Sequence, residues 1–132
     1  MKRIVLISCV SMKLPSRAKA KDLYVSSLFK YCLQYAISLN PDNIYVLSAK
    51  HGLLDLEQKI EPYEQTLNKM KSNQIKEWAD KVLVQLRKVS NLKNDDFTFL
   101  AGEKYRKYLV LHISNYKIPL KNLEIRLIRF PR

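Results

Sequence analysis

The sequence predicts an α/β fold: a three-layer arrangement with a mostly parallel four-stranded sheet and helices on both faces. Three observations lead there. Residues 4–7, Ile-Val-Leu-Ile, form a contiguous apolar run, which suits a strand covered on both faces. Ile75, Trp78, Ala79, Val82, Leu83, Leu86 and Val89 recur at helical spacing. Strand-like and helix-like stretches alternate along the chain as βαβαβαβ, the pattern that builds a parallel sheet. Right-handed crossovers then set neighbouring strands side by side.

Each element has its own signal. The first strand spans residues 2–10, and a loop rich in Lys, Arg, Ser and Pro follows to Asp22. Asp22 or Ser26 can cap the first helix. That helix runs to about residue 39, with Leu28, Tyr31, Cys32, Tyr35, Ala36 and Leu39 on one stripe. Residues 40–43, Asn-Pro-Asp-Asn, are a turn. The second strand is 44–48. A loop of about 18 residues comes next, longer than most connections and so a candidate for function. The second helix starts near Ser72, residues 91–96 turn, and the third strand is 97–101. A third helix is expected over 105–116 and a fourth strand over 123–128.

At 132 residues the chain is expected to form one domain. Cys9 and Cys32 lack a metal-ligand spacing and read as reduced thiols of a cytosolic protein. The apolar core near the amino terminus is about six residues long, shorter than a secretory signal needs. No apolar run approaches the roughly 20 residues of a membrane span. The expectation is a soluble, cytoplasmic protein with no membrane partner.

The net charge is +12, from 24 Lys and Arg against 12 Asp and Glu. Residues 1–21 hold six basic side chains and no acid, and residues 104–132 hold eight with one acid, Glu124. This asymmetry points to a polyanionic partner, most simply nucleic acid or a nucleotide-like anion. A lysine-rich but merely soluble surface is the competing account.

Ligands of open parallel sheets bind at the carboxyl ends of the strands. Ser8, Cys9, Ser11 and Lys13 follow the first strand; Ser48, Lys50, His51 and Gly52 follow the second; Gly102, Glu103, Lys104, Tyr105 and Arg106 follow the third. Turns of this kind, with lysines beside backbone amides, suit phosphate or carboxylate. His51 is a candidate acid or base, because imidazole titrates near pH 6.5. It can equally be a structural histidine. Lys50 beside it would attract an anion and lower the imidazole pKa. Cys9 is a nucleophile only if nearby cations lower its thiol pKa. Pro62 would hold Glu61 extended and aim Glu61 and Tyr63 in fixed directions; a plug packed on the sheet edge is the alternative. Tyr24, Tyr63 and Tyr105 lie near the expected mouth, where a ring can stack on a base.

The negatives are also informative. With only two glycines, Gly52 and Gly102, a dinucleotide loop is close to excluded. With two histidines and no third ligand of suitable spacing, a zinc site is not expected. No cofactor is implied.

Several segments resemble a known group of proteins. Val46-Leu47-Ser48, Gly52-Leu53-Leu54, Ile60-Glu61-Pro62-Tyr63 and Leu67 resemble the signature of the peroxide-stress (YaaA-like) proteins. The likeness is closer still to a family of short uncharacterised bacterial and phage domains related to them. Ser8 to Lys13, Ala20 to Phe29, and Leu100 to Tyr105 carry its other motifs. The carboxyl terminus departs, since the glycine expected near 122–124 is absent. The resemblance implies DNA binding, DNA rather than RNA, linked to oxidative stress. It also implies a sheet comparable with uracil-DNA-glycosylase-like folds, although that enzyme's own catalytic motifs are missing here.

The expected function is therefore a nucleic-acid-binding domain whose crevice receives a base or phosphate, built from Ser8, Cys9, Ser11, Lys13, Ser48, Gly52, Tyr63, Gly102, Tyr105 and Arg106. The alternative is an enzyme acting on a nucleobase, nucleoside or nucleotide, a hydrolase or transferase. In that case His51 is the acid or base, Lys50 the anion clamp and Glu61 its partner.

Overall fold

The computed structural model describes residues 1–8 and 13–120. Its centre is β1 (Arg3–Ser8), whose Ile4, Val5, Leu6 and Ile7 are all buried. β1 pairs in parallel with β3 (Asn43–Ser48) on one side and β6 (Asp96–Leu100) on the other. A contiguous apolar strand fits this position because both its faces are covered.

The chain leaves β1 through a two-residue strand, β2 (Ala18–Lys19), and a short helix, α1 (Ala20–Leu23). It then enters α2 (Ser27–Ser38). Ser26 is the cap: its Oγ accepts the Phe29 amide at 3.2 Å, while Asp22 lies inside α1. Phe29, Cys32 and Ala36 form the buried face of α2. Burial pushes the Cys32 thiol up to about 11, so it packs as a small apolar group.

After β3 the chain turns back at once. Residues 49–51 link Ser48 to its register partner Gly52, and β4 (Gly52–Asp55) runs antiparallel to β3. The expectation of one long loop over this stretch is corrected. Gly52 holds φ at +76°, the left-handed conformation that lets a three-residue hairpin turn close. β5 (Lys59–Ile60) then pairs antiparallel with β2, and Glu57 bridges Lys19 and Lys21 at 2.9 and 2.8 Å. A 3-10 turn (Leu67–Lys69) leads to α3 (Ser72–Val89), which buries Ile75, Trp78, Ala79, Val82, Leu83 and Leu86.

β6 follows, then α4 (Glu103–Arg106), a second 3-10 turn (Val110–His112) and β7 (Asn115–Lys117). The helix expected over 105–116 is thus corrected to a four-residue helix, turns and a strand. Tyr105, Leu109 and Ile113 are buried at helix-like spacing, but β6 otherwise presents an open edge. Pairing β7 in parallel with β6, Asp96 opposite Asn115, satisfies that edge.

The sheet has five strands among the described residues, not four, in the order β4-β3-β1-β6-β7. All neighbours are parallel except β3 and β4. The strand expected over 123–128 lies outside the described residues. The chain steps from β1 to β3, then crosses back over β1 to β6. With right-handed crossovers, those two steps assign α2 and α3 to opposite faces. They also create a switch point between the carboxyl ends of β1 and β6, where an open sheet of this kind binds its ligand.

Candidate functional site

A cleft of about 900 Å³ occupies that switch point. Ser8, at the end of β1, and Gly102, just past β6, lie in its lining together, and Ser8 Oγ accepts the Gly102 amide at 3.3 Å. Lys13, Leu14 and Pro15 line it from the segment after β1. Pro62 to Thr66, with Asn68 and Lys69, line it from the segment before α3. Glu103, Lys104 and Tyr105 line it from α4. Its charged lining is three lysines, Lys13, Lys69 and Lys104, against two glutamates, Glu64 and Glu103.

The aromatic wall is held by buried hydrogen bonds. The Ser48 hydroxyl accepts the His51 amide at 3.0 Å and donates to the Tyr63 phenol at 2.7 Å. The Tyr63 and Tyr24 hydroxyls are hydrogen-bonded at 2.7 Å. The Ser48 carbonyl accepts the Trp78 indole N–H at 2.8 Å, and the Trp78 ring meets Tyr105 edge-on at 5.6 Å. β3, α3 and the loop at Tyr63 are thereby tied to one another, and the Tyr63 and Tyr105 rings are held in place by these contacts.

Lys13 completes this wall. Its backbone bridges that of Tyr24, and its ammonium lies 4.5 Å from the Tyr63 ring centroid and 5.8 Å from that of Tyr24. A cation over an aromatic face is attractive by roughly 0.5–2 kcal/mol. No carboxylate pairs with Lys13 among the described residues.

The residues expected from the sequence divide into groups. Ser8, Lys13, Tyr63, Gly102 and Tyr105 come together in the cleft. Ser48 stands behind the wall as a fully buried link. Cys9 and Ser11 lie outside the described residues. Arg106 turns its guanidinium to the Ala101 carbonyl at 2.9 Å and steadies the β6–α4 junction.

His51, Lys50, Gly52 and Glu61 are not part of the cleft lining. Lys50 is exposed in the hairpin turn, and its carbonyl accepts the Lys81 ammonium at 3.2 Å. Gly52 packs on Gln85, whose side chain ties the Leu53 amide and the His51 carbonyl to α3. Glu61 is exposed. His51 meets Tyr63 edge-on at 5.5 Å, and its buried Nε2 has no hydrogen-bond partner. Burial first, then Lys50 and Lys81, lowers the His51 pKa below its ordinary 6.5. A neutral imidazole packed on a tyrosine supports the wall rather than facing the cleft.

Residues 4–127 match the profile of a family of unknown function, DUF6884. The chain belongs to this family. No curated protein and no solved structure matches it. The DUF6884 match takes in every residue of the cleft lining, so the site described here lies within the family's own domain.

Two features of this DUF6884 site were missed in the sequence. Trp78 reads as one more apolar position of α3, yet its indole N–H holds Ser48 in place. Residues 64–69 read only as a polar loop, yet Glu64, Gln65, Thr66, Asn68 and Lys69 form one side of the cleft. The signal available was a polar stretch following directly on the stiff Pro62-Tyr63 pair. Among the described residues, no group of three or more His, Cys, Asp or Glu side chains could hold a metal ion, and no helix is long and apolar enough to cross a membrane.

Proposed function

We propose that this DUF6884 chain is a nucleic-acid-binding domain, for DNA in preference to RNA, whose cleft receives the base or phosphate of one nucleotide. One observation carries the reading: Lys13, Lys69 and Lys104 stand beside the fixed rings of Tyr63 and Tyr105 in a cleft at the switch point of the sheet. Lysines neutralise phosphates, and the buried Tyr63 and Tyr105 rings give the cleft a fixed aromatic wall beside them. A volume of about 900 Å³ falls within the 300–1,000 Å³ range of small-molecule sites. That is room for a nucleotide unit and not for a duplex, so the unit entering it is unstacked. The net charge of +12 supplies the long-range attraction. The preference for DNA rests on the resemblance of the Leu47-Ser48 and Ile60 to Tyr63 segments to the peroxide-stress proteins, as does the proposal of a uracil-DNA-glycosylase-like sheet. Binding is put before turnover because His51, the acid or base expected from the sequence, is not part of the cleft lining.

The test is fluorescence anisotropy with single-stranded and duplex DNA and RNA over a series of salt concentrations. The logarithm of the association constant should fall linearly with the logarithm of salt, by about 0.7 per phosphate contacted on a single strand. Lys13→Gln and Lys104→Gln should each flatten that slope by roughly one contact. A salt-independent association, or none, overturns the reading.

A further inference from the structure

Ser8 and Gly102 have a relationship that packing alone does not account for. Ser8 is 8% exposed and lies in the cleft lining at the end of the central strand. Its oxygen is occupied in accepting the Gly102 amide. Its hydroxyl proton has no protein acceptor among the described residues and faces the cleft. That donor is available to a ligand.

Gly102 has no structural need to be glycine. Its φ is −63° and its ψ 162°, ordinary extended values that any residue adopts. A Cβ built on it would meet nothing within 4 Å. Gly52 is the opposite case: its φ is +76° and its Cβ would lie 2.3 Å from Gln85 Oε1. The fold therefore explains one glycine and not the other. What the missing side chain at Gly102 leaves is open space against the backbone, in the wall of the cleft, beside an unpaired hydroxyl donor. Glycine in such a place lets a ligand come against the main chain. Lys13 and Lys104 line the same cleft and supply positive charge.

We infer that Ser8 and Gly102 form a phosphate seat, in which a phosphate oxygen of the ligand accepts the Ser8 hydroxyl and the missing side chain at Gly102 leaves it room beside Lys13 and Lys104. The inference builds on the nucleic-acid reading and specifies where the phosphate goes. A nucleic-acid backbone, a free nucleotide and inorganic phosphate share this chemistry, so the test uses all three.

The chain's two glycines make the measurement direct: in an amide NMR spectrum Gly102 is the reporter and Gly52 the internal control. Titration with inorganic phosphate should move the Gly102 and Ser8 amides to saturation and leave Gly52 in place. A single-stranded oligothymidylate should do the same at lower concentration, with thymidine monophosphate between the two. Gly102→Ala should keep the thermal midpoint of the wild type, yet weaken both phosphate and oligonucleotide binding by tenfold or more. Ser8→Ala should weaken both as well. The seat is overturned if phosphate moves Gly102 no more than Gly52, or if Gly102→Ala binds phosphate as the wild type does. Phosphate bound at Gly102 with no oligonucleotide binding would keep the seat and remove the nucleic-acid reading. Oligonucleotide binding that is indifferent to Gly102→Ala would do the reverse.

Discussion

The Ser48 hydroxyl donates to the Tyr63 phenol at 2.7 Å inside the protein, and this bond joins the end of β3 to the wall of the cleft. Ser48 is fully buried and already accepts the His51 amide, so its single proton is committed to Tyr63. The Tyr63 hydroxyl is also bonded to that of Tyr24. Neither partner can be lost without stranding a polar group in the core.

Tyr63→Phe should therefore destabilise the protein by about 1–3 kcal/mol although it removes only one oxygen. Ser48→Ala should cost a similar amount, because it also releases the His51 amide. The double variant should cost less than the sum of the two, since each deletion removes the other's partner. Urea denaturation of the four proteins measures this. Strict additivity would mean that the bond contributes nothing.

Gly52→Ala should be severe where Gly102→Ala is silent. Alanine at φ +76° carries about 1–2 kcal/mol of backbone strain. Its methyl would also displace Gln85, whose bonds to Leu53 and His51 contribute roughly 0.5–1.5 kcal/mol each. A loss of about 2–5 kcal/mol in chemical denaturation is expected. Gly52→Ala with Gln85→Ala should recover none of the strain, because relieving the clash leaves φ unchanged.

These pairs also show what the sequence could disclose. β1 and β3 were legible because buried parallel strands carry contiguous apolar runs, β6 because Phe97, Phe99 and Leu100 are apolar, and α3 because its buried face repeats at helical spacing. β4 was not: it has four residues, and Leu53 and Leu54 are too few for an alternation to register. β7 was not: Asn115, Tyr116 and Lys117 are all exposed, and they form a strand to satisfy the edge of β6 rather than to bury a face. Ser8, Lys13, Gly102 and Tyr105 were found because they follow strand ends. His51 and Lys50 follow a strand end too, yet lie outside the cleft lining, because sequence does not give strand order. β3 sits one strand away from the β1–β6 crevice, and the turn after it folds back into β4.

His51 predicts an acid sensitivity. Its folded pKa lies below 6.5, with burial the main cause and Lys50 and Lys81 adding to it. Below pH 6.5 the unfolded chain takes up a proton that the folded protein refuses. Stability should thus fall as pH drops from about 6.5 to the folded pKa of His51, and this contribution should level off below it. His51→Phe keeps the edge contact with Tyr63 and cannot titrate. Its stability relative to the wild type should rise through that window and stay constant above about pH 7.5. A side-chain NMR titration giving His51 a pKa at or above 6.5 would contradict the burial assigned to it here.

Glu57 should respond lower on the scale and more locally. Hydrogen bonds from Lys19 and Lys21 hold its carboxylate at about 2, against an ordinary 4.5. A depressed carboxylate contributes stability above its unfolded pKa and loses it as pH falls through the folded one. The window therefore runs from about 4.5 down to about 2. All three groups are exposed enough that solvent screening keeps the global effect small. The local effect is sharper, because the same segment holds the Ala20 amide on the Gln58 carbonyl at 2.8 Å and the Lys21 amide on the Leu56 carbonyl at 3.0 Å. Amide exchange at Ala20 and Lys21 should accelerate in Glu57→Gln at pH 6, while exchange in β1 stays unchanged. In the wild type, acidification below pH 4.5 should reproduce that acceleration beyond the intrinsic pH dependence of exchange. Equal protection of both amides in wild type and variant would show that the β2–β5 pair holds without its ion pairs.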